Sequence, residues 1–208
     1  MKYMDYEKQA LQSKIYDSHV GKSYVTIGLF GELSEWLEKV FADDVNDSAD
    51  QEVGIDGVER YDQQRSDDIY KELGDVLWYL AGIRHEFQLE LSGGRDINEV
   101  KMSSFIDLLK RDMPTEINED TLSELSFKYF MDLVISCGKI CEYHKKEIRD
   151  GSIKTAQITE AWEKSMANLD ACLVLAHSSN LEELANANSQ KLFSRLERGV
   201  IGGEGDNR

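Results

Sequence analysis

Apolar residues recur every three to four positions along most of this chain, which is the period of an amphipathic α-helix. Breakers such as Ser92-Gly93-Gly94, Pro114 and Asp150-Gly151 follow the periodic stretches. Thr121 and Glu124 have the spacing of a capping box at the start of a further helix. The pattern predicts helices at about 4–18, 23–42, 68–91, 97–111, 122–149, 156–178 and 181–198. We therefore expect an all-α fold, a helical bundle in a single domain.

Two segments lack this pattern. Residues 43–68 are strongly acidic with little apolar periodicity, and they are predicted to form a loop between the second and third helices. Residues 199–208 form a glycine-rich tail, predicted either to fold over a bound nucleotide or to fray. The tail lacks the strand and the GK[ST] element of a P-loop.

The charge balance narrows the choice of ligands. The chain has 24 basic and 40 acidic residues among 208, a formal net charge of −16, which argues against binding to nucleic acid polymers. A polyanionic small molecule would need cations at its site. Three cysteines provide no disulfide framework, and no signal peptide or long apolar run is present. We expect a cytoplasmic protein that does not enter a membrane.

Four carboxylates form the chief candidate site. Glu32 and Glu35 lie three residues apart in the second predicted helix, and Glu72 and Asp75 repeat that spacing in the third. On a helical wheel of about 100° per residue, each pair borders an apolar stripe. The stripes comprise Leu29, Leu33, Trp36, Leu37 and Val40 in one helix, and Ile69, Leu73, Val76, Leu77 and Leu80 in the other. Packing the stripes together would bring the acids to the border of the core.

Four clustered carboxylates resist ionisation together unless a cation compensates them. Oxygen ligands suit hard divalent ions, so the cluster predicts a Mg²⁺ site, with Mn²⁺ as a substitute. The spacing alone leaves the alternative open that these are solvated acid pairs on two amphipathic helices.

The flanking residues carry a family resemblance. The segment GLFGELSEWLEKV followed by KELGDVLWYLAGI resembles the MazG-like all-α nucleoside triphosphate pyrophosphohydrolases, which carry ExxE on one helix and ExxD on the next. The ending ANANSQKLFSRLERGVIGGEGDNR is similar to the family's tail, with Asn188 and Lys191 at its NxxK core. The similarity covers about 20–42, 68–91 and 180–208. The loop between the acid pairs is longer than the family leads one to expect, and residues 95–179 interrupt the connection to the tail.

The resemblance implies an all-α pyrophosphohydrolase fold and Mg²⁺-dependent hydrolysis of (deoxy)nucleoside triphosphates to a monophosphate and pyrophosphate, which cleanses the nucleotide pool. It implies that Glu32, Glu35, Glu72 and Asp75 are the metal-binding and catalytic residues. Two alternatives stay open. One is a non-catalytic helical protein that binds a nucleotide or a partner, and the other is a specialist for dUTP or dCTP.

The last predicted helix carries the candidate phosphate contacts. Asn188, Lys191, Arg195 and Arg198 lie along one edge beside its leucines. Basic side chains there can bind phosphate, or they can complement the dipole at the end of the helix. The resemblance favours phosphate for Asn188 and Lys191, and Lys39 is a further candidate beside the acid pairs.

The second half of the chain echoes the first. LVISCGKICEYHKKEI at 133–148 resembles the second helix, and NLDACLVLA at 168–176 resembles the third. The alignment pairs Glu142 with Glu35, Lys139 with Glu32, Asp170 with Asp75, and Ala167 with Glu72. One hypothesis is an internal pseudo-dimer, with a metal-binding half at 20–91 and a degenerate half at 122–198, and the other is chance similarity. The resemblance implies that the site is built from more than one repeat, so either this internal repeat or a second copy in a homodimer would complete it.

Overall fold

The computed structural model describes residues 1–41, 55–94, 96–102, 105 and 119–201, with the backbone alone at 55–65 and 119–123. Within these ranges the regular structure is helical and no strand occurs, which confirms the predicted all-α class. The α-helices are α1 (Tyr3–Ala10), α2 (Gly21–Phe41), α3 (Ile55–Phe87), α4 (Glu119–Asp150), α5 (Thr155–His177) and α6 (Leu181–Glu197). No helix in the described ranges combines the length and apolar composition that a membrane span requires.

The first predicted helix, 4–18, is too long. Helix α1 ends at Ala10 and is followed by a 3₁₀ turn at Leu11–Ser13. The carbonyl of Ala10 accepts hydrogen bonds from the Ser13 hydroxyl (2.6 Å) and the Trp78 indole (3.0 Å). Side chains thus take the acceptor that a continuing helix would have used, as serine often does near helix ends.

The predicted helix at 97–111 is also wrong over its first residues. Ile97–Glu99 form a 3₁₀ turn, and Val100 is extended. The following backbone pairs with the N-terminus, because Tyr3 N donates to Val100 O (2.9 Å) and Met102 N donates to Met1 O (3.2 Å). The rest of that prediction lies outside the described residues, apart from Phe105.

The predicted loop at 43–68 is helical from Ile55, because α3 begins there. A helix that is stabilised by packing of the apolar stripe from Ile69 onward can extend towards its N-terminus, because each added residue gains one backbone hydrogen bond. Residues 42–54 lie outside the described ranges.

Four long helices form an antiparallel bundle. Helix α2 packs against α3 and α4, and α5 packs against α4 and α3. Trp36 stacks on Phe130 between α2 and α4, with ring centroids 4.4 Å apart. Between α3 and α5, the Trp162 indole donates to the Leu80 carbonyl (2.8 Å). Helices α1 and α6 pack on the α3 side of this bundle.

At the contact between Cys137 and Ser165, the two helix pairs do not pack in the register that the sequence alignment implies. Cys137 and Ser165 contact each other between α4 and α5 (Sγ–Oγ 3.6 Å), and the sequence alignment maps them onto Phe30 and Tyr70. In the antiparallel pair α2 and α3, however, Gly28 lies against Tyr79. Phe30, two residues further along α2, is therefore opposite a position about two residues before Tyr79 in α3. That position is about seven residues, or two helical turns, beyond Tyr70. The aligned residues do not occupy equivalent positions, and the internal repeat remains a hypothesis from the sequence.

The close approach of α2 to α3 supplies a stability prediction. A Cβ at Gly28 would collide with the Tyr79 ring, whereas a Cβ at Gly31 would meet nothing within 4 Å. Gly28→Ala should lower the free energy of unfolding by about 1–3 kcal/mol through overpacking. Gly31→Ala, its matched control on the same helix, should be neutral or stabilising by up to about 1 kcal/mol. Urea denaturation of both variants measures this, and equal effects would contradict the packing described.

Candidate metal centre

The antiparallel packing of α2 on α3 brings acids of both helices to one place. Glu32 and Glu35 from α2 and Glu72 from α3 each offer a carboxylate oxygen, and these oxygens lie within 4.8 Å of one another. The apolar stripes beside them include the buried Leu33 and Leu73. The donors are all carboxylate oxygens, which fits a hard divalent cation such as Mg²⁺ or Mn²⁺.

Asp75, the fourth predicted acid, lies beside this cluster on the side that faces α6. Its Oδ2 is 2.6 Å from the Lys191 ammonium, and its Oδ1 accepts a long hydrogen bond from the Asn188 amide (3.4 Å). Asp75 nevertheless remains close enough to Glu32 to influence its ionisation. The acids therefore form a three-carboxylate group with Asp75 next to it.

The close approach of the acids raises the pKa of Glu32. Its pKa is raised from 4.5 to about 7, chiefly by burial and then by the negative charges of Asp75, Glu35 and Glu72, while Lys191 opposes the shift. The protein thus holds an acid in a position where its charged form is unfavourable without a further cation.

Lysines from two different helices contact the α3 acids. The Lys39 ammonium from α2 pairs with Oε1 of Glu72, whose side chain is only 3% exposed. The Lys191 ammonium from α6 pairs with Asp75, as described above. Two residues that sequence reasoning assigned to the substrate therefore contact the candidate metal ligands in this structure.

Hydrogen bonds to two side chains hold the start of helix α6 in place. The side chain of Asn180 caps α6 by accepting from the amides of Glu182 and Glu183 (3.0 and 3.1 Å). The buried Asp170 accepts from the Leu181 amide (3.0 Å). Asp170, which the alignment paired with Asp75, therefore helps to position α6 and lies in no acid cluster among the described residues.

Tyr6 of α1 orients the candidate phosphate residue Asn188. Its hydroxyl donates to Oδ1 of Asn188 (2.9 Å), which leaves the amide nitrogen directed towards Asp75. Asn188 is 3% exposed, and a Cβ at Gly74 would lie 3.1 Å from its nitrogen, so glycine allows this approach. Sequence reasoning missed Tyr6, because nothing in the spacing of α1 connects it with a residue of α6.

Among the described residues, one cavity lies beside Lys191 and a second is lined by two of the acids. One of about 420 Å³ lies between α3 and α6, and its lining includes Tyr70, Gly74, Asn188 and Lys191. The other, of about 90 Å³, is lined by Ser13, Ile15, Tyr24, Glu32, Asp75, Trp78, Tyr79, Leu192, Arg195 and Ile201. Glu32 and Asp75 thus border a small polar space that also has aromatic side chains in its lining.

The two arginines of α6 differ in placement. Arg195 is buried and lines the smaller cavity together with Glu32 and Asp75. Arg198 is exposed, and its Nε donates to the Ser194 carbonyl in the last turn (3.2 Å), as a cation at the end of a helix does. Of these two arginines, Arg195 is the one that lies where it can contact a ligand beside Glu32 and Asp75. Residues 202–208 of the predicted tail lie outside the described ranges.

A phage protein is similar to this chain. The Gene 37 protein of Mycobacterium phage L5 is 39% identical over 88 residues, which cover 42% of this chain and 68% of that protein. No model of a known protein family matches, and no solved structure matches. The phage protein's name states no activity.

Proposed function

This chain belongs to the family of the Gene 37 protein of Mycobacterium phage L5, and we propose that it hydrolyses nucleoside triphosphates to monophosphates and pyrophosphate with Mg²⁺. The observation that carries the proposal is the convergence of Glu32, Glu35 and Glu72, with Asp75 beside them. The resemblance of both acid motifs and of the α6 ending to the MazG-like enzymes supports the same reaction.

The proposed hydrolysis needs a bound cation and a base for the attacking water, and the carboxylates can supply both the cation ligands and the base. Glu32, Glu35, Glu72 and Asp75 would hold the cation, which when bound offsets phosphate charge and makes a water more acidic. A motif carboxylate that is not fully engaged by the cation can accept a proton from the attacking water. The water oxygen bonds to phosphorus as the bond between the phosphorus and the departing pyrophosphate oxygen breaks.

The basic and amide groups are suited to the phosphates. Lys191, Lys39 and Arg195 carry positive charge to the border of the acids, and the Asn188 amide supplies a donor. In a protein with a formal net charge of −16, such local cations are what a triphosphate requires. The cavity of about 420 Å³ next to Lys191 has a volume in the range of small-molecule sites.

A nucleotide panel tests the reaction. The protein is incubated with Mg²⁺ and each of the common ribo- and deoxynucleoside triphosphates, and pyrophosphate and orthophosphate are measured separately. We expect pyrophosphate in equimolar amount with the monophosphate, its loss with EDTA, and its recovery with Mn²⁺. Release of orthophosphate as the first product would contradict the reaction class.

The same panel separates the alternatives. A specialist for dUTP or dCTP would release pyrophosphate from one deoxynucleotide only. A non-catalytic nucleotide-binding or partner-binding protein would release none. Cleansing of the nucleotide pool would place the protein in the cytoplasm.

Homodimer formation is also proposed, and an exposed apolar face supports it. Ile27 and Phe30 of α2 and Ile148 of α4 are 73%, 47% and 67% exposed, and they line a groove between these helices. Exposed apolar surface of this kind marks protein interfaces. Sedimentation equilibrium of the purified chain would decide between monomer and dimer.

A further inference from the structure

Each acid that α3 contributes to the candidate metal centre is paired with a lysine from another helix. Lys39 of α2 contacts Glu72, and Lys191 of α6 contacts Asp75 at 2.6 Å. In the first pair the acid is the more deeply placed partner, since the Glu72 side chain is 3% exposed against 35% for Lys39. Asp75 and Lys191 are about equally exposed, at 17% and 19%. The Lys39 ammonium therefore approaches Glu72 from the more accessible side, and the Lys191 ammonium and Asp75 are partly exposed together.

An ammonium group and a divalent cation compete for the same carboxylate oxygens. Oδ2 of Asp75 contacts Lys191 and Oδ1 faces Asn188, so a cation that binds Asp75 must share or replace these partners. Two positive charges a few ångströms apart repel each other. Lysine has a flexible stem and donors that rotate, so it can move away while the acid stays fixed on its helix.

We propose that Lys39 and Lys191 are exchangeable counterions, which neutralise the acids before the cation binds and then transfer to the phosphates of the substrate. The inference rests on the proposed function for the identity of that anion. A lysine that only contacts phosphate would leave the affinity for the cation alone unchanged. An exchangeable counterion opposes the cation alone and favours the cation together with the anion, which is reciprocal coupling between two ligands.

The test measures binding and does not depend on turnover. Mn²⁺ affinity is measured by isothermal titration calorimetry or electron paramagnetic resonance, for the wild type and for Lys191→Met, which keeps an unbranched side chain without charge. We expect Mn²⁺ alone to bind at least about fivefold more tightly to Lys191→Met. Binding of Mn²⁺-pyrophosphate should weaken by at least about tenfold. Lys39→Met should change both affinities in the same directions.

A matched control removes a similar lysine elsewhere. Lys164 of α5 pairs with Glu160 at 2.7 Å on an exposed surface, so Lys164→Met removes one charge and one ion pair away from the acids. It should leave both affinities unchanged. Circular dichroism and thermal unfolding verify that each variant is folded, and Lys191→Arg should preserve the wild-type pattern in part, because it keeps the charge.

The outcomes separate this inference from the proposed function. Weaker or unchanged Mn²⁺ binding in both folded lysine-to-methionine variants would overturn the exchange, even if the wild type releases pyrophosphate from nucleotides. Tighter Mn²⁺ binding with unchanged Mn²⁺-pyrophosphate binding would overturn the transfer to phosphate. Both expected shifts, in a protein that hydrolyses no nucleotide, would support the exchange while the enzymatic proposal fails.

Discussion

Asp75→Asn should reduce pyrophosphate release by at least about a hundredfold while the protein stays folded. The substitution keeps the size of the side chain and removes the negative charge that faces Lys191 and the neighbouring Glu32. A cation would lose one anionic ligand, and Lys191 would lose its 2.6 Å partner. Initial rates of pyrophosphate formation under saturating Mg²⁺, together with circular dichroism, measure the effect.

The chain offers a closely matched control for this variant. Asp132 of α4 pairs with Lys128, also at 2.6 Å, on a surface outside the acid cluster. Asp132→Asn removes the same charge from an aspartate–lysine pair of the same length, although that pair is exposed and lies within one helix, and the variant should keep full activity. Glu35→Gln, which changes an exposed member of the cluster, should be as inactive as Asp75→Asn. Full activity in both site variants would refute the metal-dependent mechanism.

Glu32→Gln should stabilise the protein in the absence of divalent cations and abolish tight cation binding. In the folded protein the pKa of Glu32 is about 7 against a usual 4.5, because of burial first and then the charges of Asp75, Glu35 and Glu72. The folded state therefore holds this proton more tightly than the unfolded state does. The associated stability is complete below about pH 4.5 and is lost as the pH rises to about 7.

Glutamine stays neutral throughout that range, so the advantage of the variant should appear as the pH rises. In EDTA we expect a small difference at pH 5 and a gain in unfolding free energy of about 1–2 kcal/mol at pH 8, a figure reduced for the partial solvent exposure of Glu32. Urea denaturation at several pH values measures this. Glu38→Gln, at an exposed position of α2, controls for the loss of one negative charge. If the gain in unfolding free energy of Glu32→Gln did not depend on pH, the raised pKa of Glu32 would not be its cause.

In the wild type, cation binding should become stronger as the pH rises, whereas the stability contributed by protonated Glu32 is lost. Because Glu32 must lose its proton to bind a cation, Mn²⁺ affinity should fall by up to about tenfold for each pH unit below 7. Added Mg²⁺ should stabilise the wild type at pH 8 and have little effect on Glu32→Gln. The difference in unfolding free energy between the two proteins should therefore shrink or change sign. The candidate site would thus be maintained at a cost in stability.

Helical periodicity was sufficient to predict much of the fold. The apolar stripes of α2 and α3 were correct in their buried members, among them Leu29, Leu33, Leu73 and Leu77. The three-residue spacing of acids beside these stripes predicted which side chains would meet, and Glu32, Glu35 and Glu72 do. A period of 3.6 residues determines the face of a helix locally, so these features needed no knowledge of the partner helix.

Features that depend on contacts between distant segments were not predictable in this way. The polar first half of α3 was predicted as a loop, because periodicity reports burial and not helicity. The packing register of α4 on α5 differs from the one that the sequence alignment implied, since side-chain interlocking sets the register between helices.

What the sequence alone determined is the helical class, the buried stripes and the acids that border them, since each follows from the position of a residue on its own helix. Only the tertiary structure decided that Asp75 faces α6, that Tyr6 orients Asn188, and which lysine pairs with which acid. Those pairings join residues far apart in the chain, and they depend on the offset and rotation of one helix against another, which no local pattern encodes.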